Sequence, residues 1–186
     1  MDMPHMTKTD EELVLLIQRG SEEPFGILMD RYTQKLMRYG KKFLSSQENI
    51  EDIVQEIFIK VYKNIKSFDV ERKFSPWIYR IAHNAFVNHL RSIDKEPLLF
   101  FNFDTLLNHP IYEDPAIKEK ENQEIRVLLD KGLEKLPSIY RETIILYYFE
   151  DLNYQEIADI LHVPIGTVSI RLRRARLMLK EHIKYE

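Results

Sequence analysis

The chain has 186 residues, 44% of them hydrophobic, with only five glycines and no cysteine. This composition supports folded cores and excludes disulfides, thiolate chemistry and a cysteine-based metal site. The formal net charge of −3 is unevenly spread: residues 165–186 carry six Lys/Arg against two Glu, and residues 92–120 carry three Lys against six Asp/Glu. A basic tail on an acidic chain implies local rather than general affinity for DNA, and leaves acidic surface for a basic protein partner. The apolar run at residues 13–17 is too short to cross a membrane, and Asp10, Glu11 and Glu12 before it do not suit a signal peptide. The expectation is a soluble cytoplasmic protein without membrane insertion.

Strong 3.6-residue periodicity predicts an all-α chain: two small helical domains, an N-terminal bundle and a C-terminal helix-turn-helix domain, joined by an acidic linker. The first block is placed at residues 9–91. Thr9 with Glu12 forms a capping box for a short helix ending near Gly20, and Ser21 is read as the cap of a second helix reaching about Leu44. Ser46 starts a third, whose core stripe is Ile50, Ile53, Val54, Ile57, Phe58, Val61, Tyr62 and Ile65. A loop at 67–73 precedes a fourth helix at about 75–91. Residues 92–114 are read as the linker, because Pro97 and Pro110, net acidity and the loss of periodicity break the pattern. Leu98, Leu99, Phe100, Phe101 and Phe103 suggest that part of it docks on something.

The second domain is placed at 115–186, with Asp114 as a cap and Pro115 at the first helical position. Three segments follow, at 116–136, 137–149 and 153–176. In the last, Asn153 with Glu156 forms a capping box, and His162-Val163-Pro164 ends the first helix at a residue that tolerates positive φ. The second helix of the pair has Val168, Leu172, Ala175 and Leu179 on one face, and Thr167, Ser169, Ile170, Arg171, Arg173, Arg174 and Arg176 elsewhere. Two helices joined by a short turn, the second one basic, suit a DNA major groove.

On the fourth helix, Lys73, Trp77, Arg80, Asn84, Asn88 and Arg91 recur three or four residues apart and align in one stripe beside a core face of Phe74, Ile78, Ile81, Ala82 and Ala85. Cations hold phosphates, amides pair with base edges and an aromatic ring stacks on an unstacked base, so this stripe suits opening or single-stranded DNA. On the third helix, Asp52, Gln55, Glu56 and Ile59 form an acidic and amide row ending in an isoleucine, the pattern of a protein-binding face. Enzyme chemistry finds no support. The six histidines are scattered without metal-ligand spacing, and neither a Gly-rich phosphate loop nor a serine nucleophile elbow is present. No cofactor and no metal are expected.

Together the two blocks resemble the bacterial sigma factors of the extracytoplasmic-function group. Asp52-Ile53-Val54-Gln55-Glu56-Ile57-Phe58 is similar to the family's region 2 helix that docks on the clamp of RNA polymerase. Phe74-Ser75-Pro76-Trp77-Ile78-Tyr79-Arg80-Ile81-Ala82 with Asn84 resembles its promoter-melting and −10-reading helix. Leu136-Pro137, Tyr140-Arg141 and Glu156-Ile157-Ala158 resemble the start of its region 4, and Gly166-Thr167-Val168, Arg171-Leu172 and Arg174-Ala175-Arg176 its −35-reading helix. Ser169 and Ile170 stand where a basic residue and then Ser are common in the family, Asn88 where Asp is common, and His162 where Gly or Asn is common.

The resemblance implies a non-enzymatic sigma factor that binds core RNA polymerase (clamp and flap), reads a two-part promoter and aids its melting, with an anti-sigma factor as a further candidate partner. It implies −35 contacts from Thr167, Ser169, Ile170, Arg171, Arg173 and Arg174. It implies −10 contacts from Lys73, Trp77, Arg80, Asn84 and Asn88, and polymerase contacts from Asp52, Gln55, Glu56 and Ile59. The alternative is a stand-alone helix-turn-helix regulator, which requires a ligand pocket or dimer face in residues 9–91 and tight DNA binding by the chain alone.

Overall fold

The computed structural model describes residues 8–93 and 132–184. The apolar stretch at 98–103, the Asp114–Pro115 helix start and most of the 116–136 segment lie outside them. Every regular element among the described residues is helical, as the periodicity predicts, and the chain divides into two compact units at residues 95 and 96.

In the first unit, α1 spans Asp10–Gln18, α2 Glu23–Gly40, α3 Gln47–Asn64 and α4 Phe74–Ile93, with a short 3-10 turn at Ile65–Ser67 after α3. The local signals behave as their chemistry dictates. Thr9 Oγ1 accepts from the Glu12 N–H at 3.2 Å while Glu12 Oε2 accepts from the Thr9 N–H at 2.7 Å, so two otherwise orphaned donors are satisfied. Ser46 caps α3 through the Asn49 N–H. Ser21 does not cap α2; its N-cap is Glu22, with no side-chain bond, and Pro24 fills the first turn where a missing N–H costs nothing. The helix also stops at Gly40, four residues before the expected Leu44, and Gly40 itself is buried against the core. A Cβ on Gly40 would lie 2.6 Å from both Ile50 Cγ2 and Phe86 Cζ. Only glycine lets α2 approach α3 and α4 this closely.

The core of this unit is aromatic. Tyr32 and Tyr39 of α2 meet Phe74, Tyr79 and Phe86 of α4 edge-on, with centroids 5.2–6.5 Å apart. Such pairs add about 0.5–1.5 kcal/mol each beyond area burial. Leu13, Val14 and Ile17 of α1 and Ile50, Ile53, Ile57 and Val61 of α3 complete the core. Of the expected core positions, Tyr62 is 48% exposed and rests on Phe25 at 5.0 Å. Ile81 is half-buried.

In the second unit, a 3-10 turn at Leu133–Lys135 leads to α5, Ser138–Ile144, which continues as one π turn at Ile145–Phe149. Asp151 then takes φ 51°. Asn153 opens α6, Tyr154–Leu161, with the expected reciprocal capping box (2.8 and 2.9 Å). His162 closes it at φ 54°, the left-handed conformation read from the sequence. α7, Ile165–Lys184, packs against both α5 and α6. Val168, Leu172, Ala175 and Leu179 are buried, as their spacing predicts.

Candidate nucleic-acid and polymerase interfaces

α4 is covered on one side only. Phe74, Ile78, Tyr79, Ala82, Ala85 and Phe86 are buried, while Lys73, Arg80, Asn84, Asn88 and Arg91 are exposed. Trp77 is half-buried: one side of its indole lies 4.9 Å from the Phe68 ring and 5.6 Å from the Phe74 ring. The tryptophan is thus a braced aromatic shelf at the edge of the polar stripe, neither wholly core nor loose. The arrangement supplies cations for phosphate, amides for base edges and a ring for stacking along about four turns of one helix.

On α3, Asp52, Gln55, Glu56 and Ile59 are all exposed, Ile59 by 54%. The exposed large hydrophobics among the described residues are Met29, Ile59, Tyr62 and Leu177. Three of the four belong to α2 and α3, so unspent apolar surface concentrates there. Beside Gln55, α2 and α3 enclose an open groove of about 450 Å³ floored by Met29, Met37, Val54 and Phe58. Of the sequence row, Gln55 lines this apolar trough, whose polar rim is otherwise Thr33, Gln34, Lys41, Gln47 and Glu51 and which the sequence did not reveal. The trough combines an apolar floor with a polar rim, the anatomy of a protein interface. The Lys60–Glu56 pair at 3.7 Å on this face is solvent-exposed and contributes little.

On α7 the outcome is divided. Arg173 is exposed, and Ser169, Arg174 and Arg176 are half-exposed. Thr167, Ile170 and Arg171, expected away from the core face, are buried at 7%, 6% and 7%. The four-residue stripe read from the sequence assumes a helix packed on one side. α7 is packed by α5 and α6 together, which widens the buried arc to include its flanking positions. The accessible polar surface is accordingly Ser169, Arg173, Arg174 and Arg176, continued by Lys180. Arg174 donates from Nη1 to the Tyr140 hydroxyl at 3.3 Å, so a residue of α5 orients one of these guanidiniums. The sequence carries no periodic signal for a pair 34 positions apart.

No group of His, Cys, Asp and Glu among the described residues could hold a metal ion, and no described helix is long and apolar enough to cross a membrane.

A one-sided helix bearing a strand-type stripe and a helix-turn-helix, on two separate helical units, are the parts of a promoter-recognition factor. Residues 28–96 match the family model described as Sigma-70 region 2, and residues 126–179 match Sigma-70, region 4. The chain is 32% identical over 176 residues to the ECF RNA polymerase sigma factor SigW of Bacillus subtilis, covering 90% of this chain and 93% of that protein. It is 34% identical over 185 residues to the ECF RNA polymerase sigma-E factor of Haemophilus influenzae, covering 95% and 96%. The corresponding factor of Escherichia coli K12 is 34% identical over 175 residues, with coverage of 90% and 91%. The fold is that of CnrH, solved in complex with the cytosolic domain of CnrY (TM-score 0.65, 23% identity, 96% of this chain and 99% of that one). It is also that of the sigma factor RpoE of Bartonella quintana, solved with the anti-sigma factor NepR (TM-score 0.60, 24% identity, 86% and 96%). The class is that of sigma-70-type transcription initiation factors. Within it, the chain belongs to the extracytoplasmic-function sigma factors of RNA polymerase.

Proposed function

We propose that this sigma factor divides promoter opening among three surfaces. The α3 row Asp52, Gln55, Glu56 and Ile59, with the α2–α3 trough, docks on the clamp of core polymerase. The exposed side of α7 reads the −35 element as duplex through Arg173 and Arg174, with Ser169 beside them. Thr167, Ile170 and Arg171 hold that helix in place from within. The α4 stripe of Lys73, Trp77, Arg80, Asn84 and Asn88 captures unpaired bases of the −10 element. Binding energy realised only with flipped bases shifts the equilibrium toward the open promoter, so no covalent step is needed and the protein is not itself an enzyme. An acidic chain (net −3) binds duplex DNA weakly alone and does not compete with its own holoenzyme. An anti-sigma factor that covers the same apolar trough is the further partner, and the cytoplasm is the compartment of action.

The observation that carries this reading is the α4 stripe: the exposed Lys73, Arg80, Asn84 and Asn88 and the half-buried Trp77 on one line, opposite a side packed in the core. Run-off transcription with core polymerase on a randomised promoter library tests it. Initiation from a subset of templates sharing two spaced elements is expected. Transcription independent of the chain, or tight sequence-specific binding by the chain without polymerase, would overturn it in favour of a stand-alone regulator.

A further inference from the structure

α1 takes no part in any of the three surfaces, yet two of its side chains reach across to the segment that leads into α4. Gln18 Nε2 donates to two backbone carbonyls, Ile65 O at 2.9 Å and Phe68 O at 2.8 Å. Glu11 Oε1 accepts from the Phe74 N–H, the first of α4, at 2.8 Å. These partners lie 47, 50 and 63 residues away in sequence. Glu11 and Gln18 are seven residues apart, two turns on the same side of α1, about 10 Å along its axis. Between the two anchored ends runs the arch at residues 69–73. It is shaped internally by the Glu71 N–H on Asp69 Oδ1 at 3.1 Å and the Arg72 N–H on Asp69 O at 3.0 Å.

The arch joins two groups that the α4 stripe depends on. At its start is Phe68, buried and in ring contact with Trp77 at 4.9 Å. At its end are Lys73 and the first turn of α4. We infer that α1 is a brace and that Glu11 and Gln18 are positioning residues. They fix the span of the 69–73 arch, and so the placement of the Trp77 shelf and Lys73 against an unpaired strand. The inference rests on the strand-capturing role proposed for α4. Its chemistry is specific: a side-chain amide gives two N–H bonds to two carbonyls without bringing a charge, and a carboxylate suits the positive end of a helix. Asp10, tied to Arg31 Nη1 and the Tyr32 hydroxyl at 2.6 Å each, and the buried Leu13, Val14 and Ile17 fix α1 itself. The brace is thereby referred to the core rather than to the arch.

The test separates placement from folding. Gln18→Glu keeps the size of the side chain but cannot donate, and sets a carboxylate against two carbonyl oxygens. Glu11→Ala removes the acceptor, and Glu11→Gln restores one. Holoenzyme formed with each variant is titrated with a single-stranded oligonucleotide spanning the −10 element of a promoter recovered from the run-off library. Binding to core polymerase is measured in parallel. Expected are affinities for the single strand lowered about tenfold for Gln18→Glu and Glu11→Ala, return toward wild type for Glu11→Gln, and unchanged affinity for polymerase. If Gln18→Glu fails to fold, the Glu11 pair decides. Equal losses for polymerase and single strand, or no loss of strand binding in any variant, would overturn the brace. Asn84→Ala is run alongside. Its failure to weaken strand binding would remove the α4 reading itself, whereas its effect without any effect of the brace variants removes only the brace.

Discussion

The two units handle their functional helices in opposite ways. In the first, α3 and α4 each bury one side and leave the other to solvent, so Asp52, Gln55, Glu56 and Ile59, and likewise Arg80, Asn84 and Asn88, stand clear of the core. In the second, α7 is held between α5 and α6, and three of its expected contact residues, Thr167, Ile170 and Arg171, are folded inside. α3 and α4 also have more than one neighbour, but these gather on one side of each helix and leave the opposite side bare. α5 and α6 cover a wider arc of α7 and leave a narrower strip, here Ser169, Arg173 and Arg174. Substitutions should therefore separate function from stability cleanly in the first unit and only on that strip in the second.

The strongest way to break this comparison is charge reversal on α3. Asp52→Lys with Glu56→Lys is expected to abolish association with core polymerase while leaving thermal unfolding of the chain unchanged, because both side chains are exposed. Co-purification of the double variant at wild-type yield would place docking elsewhere.

Next in size is the buried side of α7. Ile170→Ala should cost about 2–5 kcal/mol of stability, whereas Ile59→Ala on α3 should change stability by less than about 0.5 kcal/mol. Chemical denaturation of the two variants compares them directly. A neutral Ile170→Ala would show that α7 is as bare as α4.

Asn84→Ala should impair opening while sparing duplex promoter binding. A template with a pre-melted −10 bubble should partly restore open complexes, since unpairing and unstacking (about a few kcal/mol) have already been met. Permanganate reactivity of thymines near the start site reports this on closed and bubble templates. Equal opening of closed DNA by wild type and variant would make the α4 stripe a solvated face.

Arg173→Ala should weaken −35-dependent binding by about 1–3 kcal/mol if it makes a bidentate base contact, with stability unchanged. Arg171→Ala, its buried neighbour, should lower the unfolding midpoint as well as promoter binding. If the two variants prove indistinguishable by thermal denaturation, the distinction between strip and interior on α7 is lost.

The smallest effect belongs to Tyr140→Phe, which deletes only the hydroxyl that accepts from Arg174. A loss of about 0.5–1.5 kcal/mol is expected on promoter fragments carrying the −35 element. It should be absent in an Arg174→Ala background, as a double-mutant cycle would show.

What the chain determined by itself is everything that closes within a few residues or repeats with the helical period. The Thr9–Glu12 and Asn153–Glu156 capping boxes, the left-handed His162 and the turn before α7 are of this kind. So are the buried stripes of α3 and α4 and the alignment of Lys73, Trp77, Arg80, Asn84 and Asn88, because side chains three or four apart share a side of a helix whatever packs behind it. The chain could not show how far around each helix its neighbours reach. That decided the burial of Thr167, Ile170 and Arg171 and the exposure of Tyr62. Nor could the chain show the close approach of α2 at Gly40 to Ile50 and Phe86. Nor could it show contacts between distant positions, such as Gln18 with Phe68, Glu11 with Phe74 and Tyr140 with Arg174. Those pairs have no spacing to betray them. They exist only because the aromatic core of the first unit and the packing of α5, α6 and α7 in the second bring the backbones together.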